Sequence, residues 1–489
     1  MKENIPDALV ASLSECVAER MGLHFPPDRW EDLRRGFRAA ALEFGFKDVR
    51  ECLEWLQTGP LTRPQIEILA SALTVGETYF LRDMKCFETM EEHVIPALVR
   101  ARRSGEKHLR LWSTGCCTGE EPYSLAIGLT RAVPDLPDWK VTVLGTDINP
   151  HFLRKAAAGV FGEWAFRDVP DWWKEKYFHR SADKKYRILP EIRKMVTFEY
   201  LNLAEDVYPA LLNGTNALDV IFCRNVLMYF SPDQVRRVLR KLHHCLVDDG
   251  WLAVSPSETF HVAATEFGTV SFPGAVFHRK AAQEAPVWRA PVPRIAAPGL
   301  GPLPVPRLAT SQHAPPPARA AVPADSCAEA LVLYEQGRYA EAADSLMASF
   351  ARHPADARAI ALLVRIFANQ GRMADALTWC EKLVATDKVN PVGHYLQAVV
   401  LQEQGAMAEA IEALKRALYL DQDFVLAHFD LGHVTLRIGR LPEARRHMQN
   451  ALHLLRGYRQ DDVVPESEGM TAGRLSEIVM AMLETGVKS

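Results

Sequence analysis

No CxxC pair occurs anywhere in the sequence, and its nine cysteines are scattered and odd in number. Cys116 and Cys117 are adjacent, too close for an ordinary disulfide. A disulfide-framed secreted fold and a cysteine-based zinc site are therefore not expected, no metal site is indicated, and a reducing compartment is implied. No uninterrupted apolar run reaches the ~18 residues of a membrane span, and the opening MKENIPDALV has no apolar signal core. The chain is expected in the cytoplasm, without direct insertion into a membrane. Excess positive charge is missing too: 57 Lys and Arg stand against 61 Asp and Glu. That balance disfavours nucleic acid as a main partner. What is present is an ordinary globular mixture, 48% hydrophobic and 24% charged, in 489 residues, too many for one core.

Patterning divides the chain. Residues 1–85 read as an all-α domain: Trp30, Leu33, Phe37, Ala40, Ala41 and Phe44 recur at helical spacing behind Asp28, a candidate cap. Two short helices are expected around 48–57 and 64–74. Over 86–280 short apolar strands alternate with helices, beginning at Leu109–Trp112, Val141–Leu144, Leu218–Phe222 and Trp251–Val254. Such alternation implies an α/β fold, a doubly wound and mostly parallel sheet with helices on both faces. Lys176–Arg180, Tyr186–Leu189 and Met195–Tyr200 read as three short antiparallel strands, a small β-subdomain at about 176–200. Residues 281–325 hold eleven of the 31 prolines and read as an extended linker. Beyond it, Gly337, Gly371, Gly405 and Gly439 stand 34 residues apart, as do Ala342, Ala376, Ala410 and Ala444. That period is the tetratricopeptide repeat, an all-α solenoid over 326–458 in which each glycine turns the chain between two helices. The tail, 459–489, contains a capping helix near 471–483. With a Pro-rich linker before them, the repeats are expected as a separately tethered binding module for an unknown protein partner.

The chemistry concentrates where strands end. In Trp112-Ser113-Thr114-Gly115-Cys116-Cys117-Thr118-Gly119-Glu120-Glu121-Pro122 a strand gives way to a glycine-bounded loop and a helix start. A phosphate cradle wants bare backbone N–H groups and a Lys or Arg. Two glutamates at the helix start would repel a pyrophosphate and suit a cationic ligand without phosphate, which describes S-adenosylmethionine. Asp147, at the end of the second strand, is placed for ribose hydroxyls; its competing role is a helix cap before Pro150.

These phrases resemble the chemotaxis receptor methyltransferases, the CheR family. The first loop looks like the family's first motif, and Ile221-Phe222-Cys223-Arg224-Asn225-Val226-Leu227-Met228-Tyr229-Phe230 matches its most recognisable phrase. Gly76–Asp83, Asn202-Leu203 and Asp248-Asp249-Gly250 fall in the family's order. The resemblance implies that S-adenosyl-L-methionine is the cofactor. Thr78 and Arg82 would reach it from the helical side, with Gly115 in the loop. Glu120 or Glu121 would approach its methionine end, Asp147 the ribose, and Asn202 and Leu203 the adenine. Arg224 and Asn225 would line the pocket floor, and Tyr229 would stand near the transferring methyl. Two departures stand out: Gly76 replaces an asparagine common among relatives, and Ser255-Pro256-Ser257-Glu258 replaces a His-Ser-Glu phrase.

The resemblance implies transfer of methyl to glutamate side chains on the cytoplasmic helices of a chemoreceptor-like protein. A glutamate is ionised at neutral pH, its pKa near ~4.3, and needs no general base. Tyr229 and Arg224 are the candidates to steer it. The structural alternatives are an ion pair of Arg224 with Glu120 or Glu121 and a core position for Tyr229. Arg29, Arg34, Arg35 and Arg38 could dock an acidic receptor helix or be a solvated face. The turn Arg180–Lys185 has no glycine, unlike the loop on which some relatives seat a receptor's terminal peptide, so direct docking on the methylation helices is expected. The rival reading is a cofactor-binding scaffold that acts only through its repeats.

Overall fold

A seven-stranded sheet organises the molecule, in the order β6-β2-β1-β7-β8-β10-β9. The computed structural model describes residues 5–281, 326–350 and 356–485 apart from positions 60, 104, 182 and 264, so the expected linker lies almost wholly outside the described residues. Strands β1 (His108–Thr114) and β2 (Lys140–Asp147) run parallel in unbroken register from His108↔Lys140 to Thr114↔Thr146. The remaining parallel strands are β6 (Val196–Tyr200), β7 (Leu218–Cys223) and β8 (Leu246–Val254), and an antiparallel hairpin of β9 (Phe267–Phe272) and β10 (Ala275–Lys280) closes one edge. This hairpin was not expected from the sequence. Side chains alternate between two cores, as a strand period of two requires. Leu111, Val143, Val220, Phe222 and Phe277 pack on one face; Trp112, Leu144, Ile221, Cys223 and Leu252 pack on the other. The second face is covered by helix Pro232–Cys245, which presents Val235, Val238, Leu239 and Leu242 at helical spacing. Buried Trp112 donates to Thr146 Oγ1 at 2.9 Å, so its indole is satisfied within the core.

The small sheet differs from expectation. Its order is β3-β5-β4, with β3 Val160–Phe161, β4 Phe178–Arg180 and β5 Tyr186–Ile188. The segment expected as its third strand is β6, which pairs in parallel with β2 (Val143↔Val196 to Asp147↔Tyr200). Its Phe198 fills the space over Gly145, where a Cβ would come within 2.9 Å of the ring, and this contact holds it on the larger sheet.

Ahead of the sheet, helices Asp7–Met21, Trp30–Glu43, Val49–Leu56 and Arg63–Leu73 share a core of Val10, Leu13, Leu33, Phe37, Leu53 and Leu69. Asp28 caps nothing; it lies in a 3-10 turn, Pro27–Arg29, that precedes the second helix.

Four helix pairs follow: Ser326–Glu335 with Tyr339–Phe350, Ala357–Asn369 with Met373–Thr386, Pro391–Glu403 with Met407–Leu420, and Val425–Arg437 with Leu441–Leu455. Gly337, Gly371, Gly405 and Gly439 hold φ between 72° and 80° at the four turns, a conformation cheap only for glycine. Helix Ala472–Thr485 closes the stack, with Leu475 and Val479 in its core. No helix among the described residues is long and apolar enough to cross a membrane.

The repeats are not a freely swinging module. Their turns rest on the amino ends of the sheet: Gly337 on His244, Gly371 on Val247 and Ala217, Gly405 on Lys140. Glu403 pairs through its carboxylate with Arg110 and accepts from the Lys140 ammonium through its carbonyl, while burial pulls Lys140 down to about 8. Asn216 Nδ2 donates to the Ala368 carbonyl at 3.3 Å, and Leu211 is buried in the repeat core. Arg474 lies 4.2 Å over the Tyr200 ring. The Arg110 side chain is only 6% exposed, so the pair counts as buried. Removing its carboxylate leaves a cation short of its partner, at a cost of about 3 kcal/mol. Glu403→Ala should therefore destabilise the full chain by about that amount in urea denaturation. A loss within about 0.5 kcal/mol, as for an exposed surface glutamate, would mean that the repeats stand apart.

Candidate active site

The parallel strands run to one edge, and the order reverses between β1 and β7, the position at which open α/β sheets bind ligands. A cavity opens there. Thr78, Arg82, Gly115, Glu121 and Asp147 line it, and so do Asn202, Leu203, Arg224, Asn225 and Tyr229. Of the residues expected to bind cofactor or steer substrate, only Glu120 is off its wall.

The glycine loop is shaped by close approach. Gly115 has φ 64° and Gly119 φ 96°, and a Cβ at Gly115 would lie 2.5 Å from Val226. From Gly119 the helix Glu120–Ala132 begins, and its first two residues point apart. Glu120 turns away from the cavity and accepts from Thr118 Oγ1 at 2.7 Å. Glu121 turns inward, accepting from Ser113 Oγ at 2.8 Å and from Arg224 Nη1 at 3.0 Å. Burial raises the Glu121 carboxyl above its ordinary range, and Arg224 and Ser113 act against that.

Arg224 is thereby committed within the protein. Its Nη2 donates to the Arg82 carbonyl at 2.6 Å and lies 3.4 Å from Asp83 Oδ2, and its side chain is 2% exposed. Arg224, expected as a steering group for substrate, lines the cavity; the ion pair held as its structural alternative is also present, and the guanidinium braces β7 against the glycine-loop helix and the 74–83 segment.

Asp147 ends β2 at the cavity. Oδ2 accepts from the Cys117 N–H at 2.9 Å and Oδ1 from the Asn149 N–H at 2.8 Å. Burial pushes its pKa up to about 6 in spite of these bonds. The helix-capping role weighed for Asp147 belongs to Asn149, whose Oδ1 accepts from the His151 and Phe152 N–H groups. Asn202, 1% exposed, accepts from the Ala204 N–H at 3.0 Å and donates to the Arg20 carbonyl at 3.1 Å, which ties the loop after β6 to the first helix.

The 74–83 segment is held from outside. Phe80 is fully buried among Phe161, Phe166, Trp173 and Phe178, with ring centroids 4.8–5.4 Å away. Three of these rings, Phe161, Phe178 and Phe166, sit on or beside the small sheet, so that sheet positions Thr78 and Arg82. At Gly76 the ring of Phe152 fills the space, and a Cβ would lie 2.8 Å from it.

Glu258 has a clear structural place. It is 1% exposed; Oε2 accepts from the Asn225 N–H at 2.8 Å and Oε1 from the Met228 N–H at 3.3 Å. It thereby fixes the turn in which Asn225 adopts φ 57° and Tyr229 reaches the cavity. Tyr229 is part-buried, with Arg29 5.7 Å over its ring, and burial raises its phenol above the ordinary range. Ile148, Phe87, Phe152 and Phe230 also line the wall. Sequence reasoning missed them because an apolar residue beside a motif looks the same whether it faces a ligand or the core. Among the described residues no group of His, Cys, Asp and Glu is arranged to hold a metal ion.

Comparison with known proteins follows these elements. Residues 76–276 match the family described as CheR methyltransferase, SAM binding domain; residues 327–391 and 400–439 match tetratricopeptide repeats. A chemotaxis protein methyltransferase of Borreliella burgdorferi is 31% identical over 217 residues, 44% of this chain and 75% of that protein. Chemotaxis protein methyltransferase 1 of Pseudomonas aeruginosa is 32% identical over 48% of this chain and 85% of its own length. A probable biofilm formation methyltransferase of Pseudomonas putida is 32% identical over 50% of this chain and 54% of its own.

The cavity suits S-adenosylmethionine. Glu77, Glu121 and Asp147 present carboxylates to a ligand bearing an ammonium, a sulfonium and ribose hydroxyls. Arg82 can take a carboxylate, and Ile148, Leu201, Leu203 and Phe230 form an apolar wall for a purine. No lysine lines the cavity among the described residues, as a phosphate-free ligand allows. By fold, cavity and kinship, the chain belongs to the CheR family of S-adenosylmethionine-dependent chemotaxis methyltransferases, here joined to tetratricopeptide repeats.

Proposed function

We propose that the enzyme methylates glutamate side chains on the cytoplasmic helices of a chemoreceptor-like protein, and that it works in the cytoplasm. The observation that carries this reading is the cavity mouth. Tyr229 and Arg82 both line the cavity and Arg29 lies 5.7 Å over the Tyr229 ring, so two cations flank the phenol where an anionic acceptor would come. Relatives named as chemotaxis methyltransferases support the choice of receptor. Bound S-adenosylmethionine supplies a methyl group on a sulfonium centre with a good leaving group. The protein's own task is alignment and exclusion of water. Asp147 accepts the ribose hydroxyls, Arg82 and Thr78 hold the methionine end, Asn202 and Leu203 flank the adenine, and Tyr229 orients the incoming carboxylate. The basic face beside the mouth is smaller than four arginines suggest. Arg34 is buried, bonded to the Ile5 carbonyl at 3.2 Å and paired with Asp7 and Glu31, which leaves Arg29, Arg35 and Arg38 for docking, with Asp32 beside the first two.

Incubation of the full chain with radiolabelled cofactor and a receptor cytoplasmic fragment should give base-labile label, and mass spectrometry should find glutamyl methyl esters. Label confined to other residue types would sink the proposal. Because the glycine-free turn at Arg180–Lys185 offers no seat for a peptide strand, trimming the receptor's terminal residues should leave the rate unchanged. A large loss of rate on trimming would overturn direct docking.

Asp147 sets a pH dependence. Above about 6 its carboxylate is ionised and accepts from both the protein and the ribose; below that pH a proton occupies one acceptor site. Cofactor affinity should therefore fall as pH drops through about 6. Asp147→Ala should weaken binding by about one to three kcal/mol at pH 7.5 and flatten the pH profile. Calorimetry giving wild-type affinity in the folded variant would overturn the ribose assignment.

A further inference from the structure

Beyond the last repeat the chain folds back as a hairpin whose acidic tip enters the face formed by the first helices of the repeats. Val463 and Thr471 pair across it, the Val464 N–H donates to the Met470 carbonyl at 2.9 Å, and Val464 and Met470 are buried in the repeat core. Between them lie Pro465-Glu466-Ser467-Glu468-Gly469. The Glu466 carboxylate pairs with the Arg365 guanidinium. Glu468 lies 3.8 Å from Arg365 Nε, accepts from the Tyr334 hydroxyl at 3.1 Å, and accepts from the Leu211 N–H at 3.0 Å. Tyr334 and Arg365 belong to the first helices of successive repeats.

The Arg365 side chain is 15% exposed and both carboxylates of the tip converge on it. One helical turn further on, Asn369 is 2% exposed; its Nδ2 donates to the Tyr334 hydroxyl at 2.8 Å, while its Oδ1 has no partner among the described residues. A part-buried cation, a phenol and an unused amide acceptor together suit a peptide that brings carboxylates and a backbone N–H. The tip meets the first two demands only. It does so in an unfavourable backbone, with Glu466 at φ 66° and Glu468 at φ 55°, left-handed values that glutamate rarely adopts. Solenoids bind partners on this kind of surface.

We infer that this groove is the docking site for an acidic segment of a partner protein, carrying two carboxylates one residue apart. The 463–471 hairpin is its competitor in the same chain. The inference does not depend on which side chain the enzyme methylates.

A fluorescein-labelled peptide with the sequence of residues 461–473 is the probe, titrated by anisotropy into the full chain. Held in place at millimolar effective concentration, the hairpin should mask the site in the wild type. Glu466→Lys with Glu468→Lys should expel the tip from Arg365 and improve peptide affinity by about tenfold or more. Adding Arg365→Gln to that variant should reverse the gain, and a peptide with both glutamates replaced by glutamine should compete at least about tenfold more weakly. A folded double variant that binds no better than wild type would show the hairpin to be a permanent plug and overturn the inference, as would binding that ignores Arg365→Gln. If the double variant does not fold, hydrogen exchange on the wild type decides. Excess peptide should speed exchange of the 463–471 amides, and unchanged exchange refutes competition.

Discussion

Arg224 and Glu121 face each other at 3.0 Å where almost no water reaches, and the cavity depends on that pair. A buried ion pair contributes little net stability, because the desolvation of both charges offsets their attraction. Its value is positional. Glu121 lies in the first turn of the helix after the glycine loop, Arg224 directly follows β7, and the guanidinium also holds the Arg82 carbonyl. Three segments distant in sequence are thereby fixed around one volume. Arg82, which lines the cavity, and Arg29, which lies over the Tyr229 ring, come from the helical side, so the amino-terminal helices complete the site as well as flanking it.

The two small features beside the cavity work in the same way. The small sheet contributes no cavity-lining group through its three strands; it contributes a cage for Phe80, and through it the placement of Thr78 and Arg82. Glu258 touches no ligand position either. It anchors the backbone N–H groups of Asn225 and Met228, so the turn keeps its strained shape without a partner.

Much of this was legible in the sequence where a local rule applies. The 34-residue glycine period marks turns that only a left-handed residue makes well, and all four adopt it. Strand ends before Gly115, Asp147 and Arg224 fall on one edge because parallel strands must deliver their carboxyl ends together. What escaped was decided by neighbours. Glu120 and Glu121 differ only by about 100° of helix phase, which no motif records. Asp147 reads as a cap before Pro150 on paper, yet its two oxygens are taken by the Cys117 and Asn149 N–H groups, and the amide of Asn149 caps the helix instead. Two-residue β3 carries no periodicity at all, and β6 pairs with β2 in the larger sheet, where its Phe198 packs over Gly145. The seat of the repeats was invisible for a different reason: Arg110 and Glu403 are 293 residues apart, and nothing in either segment announces the other.

That seat changes what the repeats can convey. A module on a loose string raises the local concentration of whatever it holds and says nothing about direction. Here three successive turns bear on His244, Val247 and Lys140, so the repeat face keeps a set bearing relative to the cavity. A partner captured there arrives with its orientation already chosen, as a compass fixes a heading where a leash fixes only a radius. Among side chains equally near the enzyme, those lying along that bearing are favoured, and selectivity among acceptors then follows from geometry without any contact at the acceptor itself.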